Sequence, residues 1–112
     1  MNIAFDNPRH EALVKDYGVL CKRYNKKKGV DSASDILGTL NVLNAANTLA
    51  EVPPSYRPHP LKGSYKGCFA VDVDKIHRII FKPNPKGDPD FRIDNYRSIK
   101  NITIIAIYED YH

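Results

Sequence analysis

Apolar residues recur at helical spacing as far as Pro53-Pro54 and at every second position beyond it. That switch of period confines the chain to an α+β fold in which helices precede the main run of strands. Leu13, Val14, Tyr17, Leu20, Cys21 and Tyr24 form the first helical pattern. It tolerates Gly18 at a cost of about 1 kcal/mol relative to alanine and should end between Asn25 and Gly29. Ser32-Ala33-Ser34-Asp35 has the Ser-x-x-acid form of a capping box, and Ile36, Leu40, Leu43, Ala46 and Leu49-Ala50 give the next helix one apolar face. Two helices in an antiparallel hairpin follow from this pattern. Ahead of them, Ile3 and Phe5 alternate with polar or small neighbours, so Asn2 to Phe5 reads as a short first strand closed by Asp6-Asn7-Pro8.

Beyond the prolines, Cys68, Ala70 and Asp72 alternate with Phe69, Val71 and Val73, and His77 to Lys82 supplies a second strand joined through Asp74-Lys75 as a tight hairpin. Ile102-Thr103-Ile104-Ile105-Ala106-Ile107 is an unbroken apolar run, the mark of a buried strand. Between these lies Pro83 to Asn101, with three of the eight prolines, Gly87 and many charges, which reads as a long exposed loop. The expected order is β-α-α-β-β-β: two helices on one face of a twisted antiparallel sheet whose other face stays partly open.

At 112 residues the chain, 1–112, is read as one domain, large enough to remove about two-thirds of its unfolded surface from water without staples. Cys21 and Cys68 fall in a helical and a strand pattern with no Cys-x-x-Cys spacing, so both read as buried thiols in a reducing compartment. Met1 to Asp6 lacks the basic start and apolar run of a signal peptide, and no stretch is long enough to span a bilayer. The expectation is a soluble cytoplasmic protein with no membrane partner. The net charge is +4, and its distribution matters more than its sum. Lys22, Arg23, Lys26, Lys27 and Lys28 suit the C-terminal end of a solvated helix, whereas Arg57, Lys62, Lys66, Arg78 and Lys82 spread over the strand region as a candidate RNA-facing surface.

Three blocks occur together in one order: His59-Pro60-Leu61-Lys62-Gly63-Ser64-Tyr65-Lys66-Gly67, then Arg78-Ile79-Ile80-Phe81, then Asp110-Tyr111-His112 beyond the apolar run. In that combination the sequence resembles the HigB-like killer protein toxins of bacterial toxin–antitoxin systems, a branch of the RelE/ParE superfamily. The resemblance covers nearly the whole chain. It implies a RelE-like fold and a metal-independent, ribosome-dependent endoribonuclease that cleaves messenger RNA during translation. It also implies a HigA-like antitoxin carrying a helix-turn-helix domain, with operator DNA engaged only through the antitoxin complex. Carried over by motif, the catalytic candidates are His59, Lys62, Arg78, Asp110, Tyr111 and His112, with Arg57, Lys66 and Lys82 as RNA-binding cations. Two departures stand out: His77 replaces the aromatic residue common before the strand arginine, and the Pro83 to Asn101 loop is longer than in compact members. We read His77 as a filler of the aromatic's place.

The residue chemistry is consistent with that implication. Cleaving RNA without a metal needs a base for the 2′-hydroxyl, an acid for the leaving 5′-oxygen and cations for the phosphate. Histidine suits either proton role near neutral pH, which singles out His59 and His112. Arg78 offers a bidentate fork for phosphate oxygens and Lys62 a point charge. Tyr111 could stack a base or donate a proton, and Asp110 could orient an imidazole. Each has a plainer alternative: Lys62 and Lys66 flank glycines in a turn, His10 sits on a helix surface, and Arg78 could pair with Asp72 across the hairpin. Scattered histidines without carboxylate-rich spacing argue against a metal, and no cofactor is implied. A gyrase inhibitor of the ParE branch or a decayed toxin that retains only antitoxin binding are the alternatives. If the terminal tripeptide forms the site, a C-terminal extension should impair cleavage.

Overall fold

The computed structural model describes residues 1–111. Among them the elements run β1 (Asn2–Phe5), α1 (Pro8–Lys15), α2 (Tyr17–Tyr24), α3 (Ser32–Ala45), β2 (His59–Pro60), β3 (Phe69–Asp72), β4 (His77–Pro83) and β5 (Asn101–Asp110). Short 3-10 turns occur at Leu49–Glu51, Pro54–Tyr56, Gly63–Tyr65 and Tyr96–Ser98. The α+β class is the one expected from the change of period, with three helices on a five-stranded sheet of order β1-β5-β4-β3-β2.

The first helical pattern folds as two helices rather than one. Asp16, at φ −128° and ψ 99°, leaves the helical region, yet its N–H still closes on the Leu13 carbonyl while its Oδ1 accepts from Val19 N–H at 3.2 Å. One aspartate thus ends α1 and caps α2, and Gly18 falls in a first turn instead of a helix interior. The cap of α3 also differs from the capping box expected at Ser32. Asp31 is the N-cap, accepting from Ser34 N–H at 3.0 Å, and Ser32 is buried with its Oγ 3.0 Å from the Tyr108 hydroxyl. The face of Ile36, Leu40, Leu43, Ala46 and Leu49 is buried as the spacing predicts, while Ala50 is exposed.

The sheet is mixed. β1 lies parallel to β5, and the other neighbours are antiparallel. The long helical connection after β1 frees that strand to pair in parallel with the last one, as a short hairpin could not. Phe69, Val71, Ile79 and Phe81 join Ile102, Ile104 and Ile107 beneath the helices. Each such side chain is worth roughly 1.5–3 kcal/mol when fully buried. The β4–β5 register slips between Arg78 and Ile80 and again between Ile80 and Phe81. These bulges explain the continuous apolar run of β5: Ile104 and Ile107 both reach the core although they are three positions apart, which regular alternation would place on opposite faces. They also set Glu109 opposite Arg78.

Pro83 to Asn101 is more ordered than a solvated loop. Phe91 and Tyr96 pack on the core, and Ser98 Oγ bonds the Arg92 N–H and carbonyl, each at 2.8 Å. The β3–β4 connection is held by Asp74 Oδ1, which accepts from the N–H groups of Ile76 and His77 at 2.9 and 2.8 Å. Cys68 is buried and Cys21 half-buried, both as free thiols. No helix among the described residues is long and apolar enough to cross a membrane.

Candidate active site

The face of the sheet turned away from the helices gathers side chains from four segments. Along β4 the odd residues His77, Ile79, Phe81 and Pro83 alternate with Arg78, Ile80 and Lys82. Since Ile79 and Phe81 belong to the core, Arg78 and Lys82 fall on the open face. Asp72 on β3 and Glu109 on β5 are the register partners of Arg78 and share that face. His59 on β2 pairs with Ala70 two positions from Asp72.

His59 is fixed by its own chain. Arg57 adopts the left-handed conformation, φ 50° and ψ 55°, at a cost of roughly 1–2 kcal/mol for a residue with a Cβ. Its carbonyl lies 2.6 Å from His59 Nδ1. A carbonyl only accepts, so Nδ1 carries the proton, and in neutral His59 the Nε2 lone pair is available as an acceptor. The imidazole stacks nearly parallel to the Tyr111 ring, at 14° with centroids 6.3 Å apart. The Tyr111 hydroxyl donates to Asp72 Oδ1, and Asp72 Oδ2 lies 3.6 Å from Arg57 Nη1. Burial first, and then the bond to Asp72, push the Tyr111 phenol up to about 12, so it stays protonated at neutral pH.

Arg78 lies against two rings. Its Cζ is 4.8 Å from the Tyr111 centroid and 6.0 Å from that of Tyr65, which the Gly63–Tyr65 turn carries to this place. Gly63 and Gly67, both at positive φ, let the chain turn there. Arg78 forms no ion pair among the described residues, with Asp72 or any other acid, and its Nε is buried without a hydrogen-bond partner. A guanidinium flanked by aromatic faces with an unsatisfied N–H suits an anionic ligand.

Of the residues singled out in the sequence, Arg57, His59, Arg78 and Tyr111 therefore converge. Lys82 is exposed on the same face beyond Ile80, and Lys62 and Lys66 are exposed on either side of the Tyr65 turn. Asp110 is opposite His77, and strand alternation puts it on the other face from Arg78. His112 lies outside the described residues. His77 packs on the helix side, its ring 3.7 Å from that of Tyr108 and its Nδ1 3.0 Å from Asp74 Oδ1, which suits the filler reading. Asp72, Tyr65 and Glu109 are neighbours that the sequence did not assign to the site. Only the position of Asp72, opposite Arg78 in the hairpin, was readable beforehand.

Among the described residues no group of three His, Cys, Asp or Glu side chains could hold a metal ion. What the face offers is a proton acceptor, a phosphate fork and stacking surfaces.

No protein-family model matches the sequence, and comparison with the curated proteins finds no match. Solved structures do match over nearly the whole length. The YoeB–YefM complex from Staphylococcus aureus contains a chain with a TM-score of 0.56 at 16% identity, covering 99% of this chain and 98% of that one. A heterotetrameric YoeB–YefM toxin–antitoxin complex from the same organism gives 0.53 at 15% identity, with 99% and 98% covered. The YoeB/ParE toxin from Agrobacterium tumefaciens gives 0.52 at 15% identity over all of both chains. At these identities the likeness concerns architecture, and it shows that this chain has the fold of these YoeB and YoeB/ParE toxin structures.

Proposed function

We propose that this chain is the toxin of a toxin–antitoxin pair, HigB-like in its site, and that it cleaves messenger RNA on the translating ribosome without a metal. The observation that carries the reading is the meeting of His59 and Arg78 on the ring of Tyr111, with Nε2 of the histidine available and the guanidinium not ion-paired among the described residues. His59 Nε2 takes the proton of a 2′-hydroxyl, the 2′-oxygen attacks the adjacent phosphorus, and the bond to the 5′-oxygen breaks. The products are a 2′,3′-cyclic phosphate and a 5′-hydroxyl end. Arg78 holds the phosphate oxygens as their charge grows, a role for which loss of one donor commonly costs 10²–10³-fold in rate. Tyr65 and Tyr111 offer faces for a base, and Arg57, Lys62, Lys66 and Lys82 supply cations for flanking phosphates. His112 is our proposed second proton group, the acid that gives its proton to the leaving 5′-oxygen while His59 keeps the one taken from the 2′-hydroxyl. For Asp110, which strand alternation puts on the other face from Arg78, the proposed role is to orient an imidazole.

The site is shallow and has few groups, so a scaffold that orients the RNA would add much of the rate, which supports ribosome dependence. A helix-turn-helix antitoxin is the proposed partner, with operator DNA reached only through it, and the cytoplasm is the proposed compartment. One observation favours a second reading. The Tyr111 hydroxyl is committed to Asp72, and His59 is the only imidazole on this face among the described residues, a pairing that suits a toxin that binds without cleaving.

A reconstituted translation reaction distinguishes the two readings. Purified wild type, His59→Gln and Arg78→Ala would be added to programmed ribosomes and to naked RNA, and new 5′ ends mapped. Cuts with wild type on ribosome-bound message alone, lost in both variants, support the nuclease. Inhibition without cuts supports the binding toxin, and equal cutting of naked RNA overturns ribosome dependence.

A further inference from the structure

One carboxylate ties the two halves of this face together. Asp72 ends β3 with a side chain only 19% exposed, its Oδ2 on Arg57 Nη1 and its Oδ1 receiving the Tyr111 hydroxyl. Both arms lead to the same imidazole. Through Arg57, Asp72 restrains a left-handed residue whose carbonyl meets His59 Nδ1, and through Tyr111 it holds the ring that stacks on His59 and lies under Arg78. A non-glycine residue keeps a left-handed backbone only where its surroundings over-determine it. The Arg57 N–H bond to the Pro54 carbonyl, at 2.9 Å, holds this turn, and the Asp72–Arg57 contact tethers the side chain of the same residue. The obvious ion pair is meanwhile not made: Arg78 is the register partner of Asp72, yet no Arg78–Asp72 salt bridge forms, because the carboxylate is engaged by Arg57 and Tyr111.

We propose that Asp72 is the positioning residue of this face: its carboxylate fixes the Arg57 main chain and the Tyr111 ring together, so that His59 keeps its proton on Nδ1 and presents Nε2, while Arg78 lies on the same Tyr111 ring with no ion pair among the described residues. As a statement about catalysis this rests on the nuclease reading above. As a statement about geometry it does not. Asp72 touches none of the reacting atoms in this scheme and acts through its neighbours.

The test is Asp72→Asn, which keeps the size of the side chain and one acceptor oxygen but removes the charge. Nitrogen NMR of the histidine side chains, with His59 assigned by comparison with His59→Gln, reads the tautomer directly. Wild type should hold the proton on Nδ1, and Asp72→Asn should shift the population towards the Nε2–H form. Tyr111, assigned with Tyr111→Phe, should titrate at lower pH in the variant than in wild type, where Asp72 helps push it up to about 12. Single-turnover cleavage of ribosome-bound message should fall roughly 10- to 100-fold, the scale expected for misplaced groups, with unchanged circular dichroism. An unmoved His59 tautomer with an unmoved Tyr111 titration overturns the proposal, as does wild-type cleavage by the variant. If the NMR changes appear but wild type cleaves no RNA, the positioning role stands and the nuclease reading falls. Should Asp72→Asn fail to fold, Arg57→Gly removes one arm while suiting the left-handed backbone. A His59 tautomer unchanged in that variant overturns the proposal equally.

Discussion

Replacing Asp74 with alanine should lower the melting temperature by about 10 °C. This carboxylate organises the turn that delivers Arg78: it accepts from Ile76 N–H at 2.9 Å and His77 N–H at 2.8 Å, and lies 3.0 Å from His77 Nδ1 and 3.1 Å from the Tyr108 hydroxyl. Hydrogen bonds to an ionised group contribute roughly 1.5–3 kcal/mol each where water is excluded. The Asp74 side chain is 29% exposed, so the whole set is discounted to about 2–3 kcal/mol. An unfolding entropy of about 2.1 cal/mol/K per residue over 112 residues converts each kcal/mol into roughly 4 °C. The effect should also depend on pH. Burial opposes ionisation of Asp74, but the bonds from Ile76, His77 and Tyr108 outweigh it and hold the acid below the usual carboxylate range. A depressed folded pKa means the stabilisation is complete above the unfolded value, near pH 4, and is lost as pH falls through the folded one. Thermal unfolding of wild type and Asp74→Ala, followed by circular dichroism from pH 7 to pH 3, should show a gap that is whole at pH 7 and narrows from about pH 4 downward. A gap of under about 3 °C at pH 7, or one that persists unchanged to pH 3, would refute the reasoning.

Other outcomes follow from the same contacts. Arg78→Lys should lose at least about tenfold in single-turnover cleavage, because a point charge replaces a bidentate fork, and wild-type rates would show that the fork is not used. Asp16→Ala should cost about 1 kcal/mol in urea unfolding through loss of the α2 cap, without altering cleavage once folded. Lys62→Ala with Lys66→Ala should flatten the salt dependence of RNA binding by about one to two phosphate contacts, which titration at several salt concentrations measures; an unchanged slope places both lysines off the RNA.

What the sequence revealed and what it hid divide along physical lines. The period switch was legible because burial imposes it residue by residue, and the core faces of α3, β3 and β4 followed directly. The break at Asp16 was not, since an exposed aspartate before Tyr-Gly serves equally well inside a helix and at a cap, and only its bond to Val19 N–H decides. The same holds for Asp31, which takes the cap from Ser32 because Ser32 is drawn inward to Tyr108. The parallel pairing of β1 with β5 and the two bulges in the β4–β5 ladder depend on contacts about a hundred residues apart or on strand register, which local pattern does not encode. At the site, His59, Arg78 and Tyr111 stood out by residue type and resemblance. Asp72 did not, because an aspartate at a strand end has no distinguishing spacing, and its importance lies in the contacts it makes with Arg57 and Tyr111.

The most direct test of the central claim is to express wild type, Arg78→Ala and His112→Ala in a bacterial host without the antitoxin, at matched soluble levels, and to map messenger-RNA 5′ ends as growth is followed. The account predicts arrest with new in-frame cuts for wild type and neither for Arg78→Ala. Arrest without new ends, or cutting that survives Arg78→Ala, would contradict it.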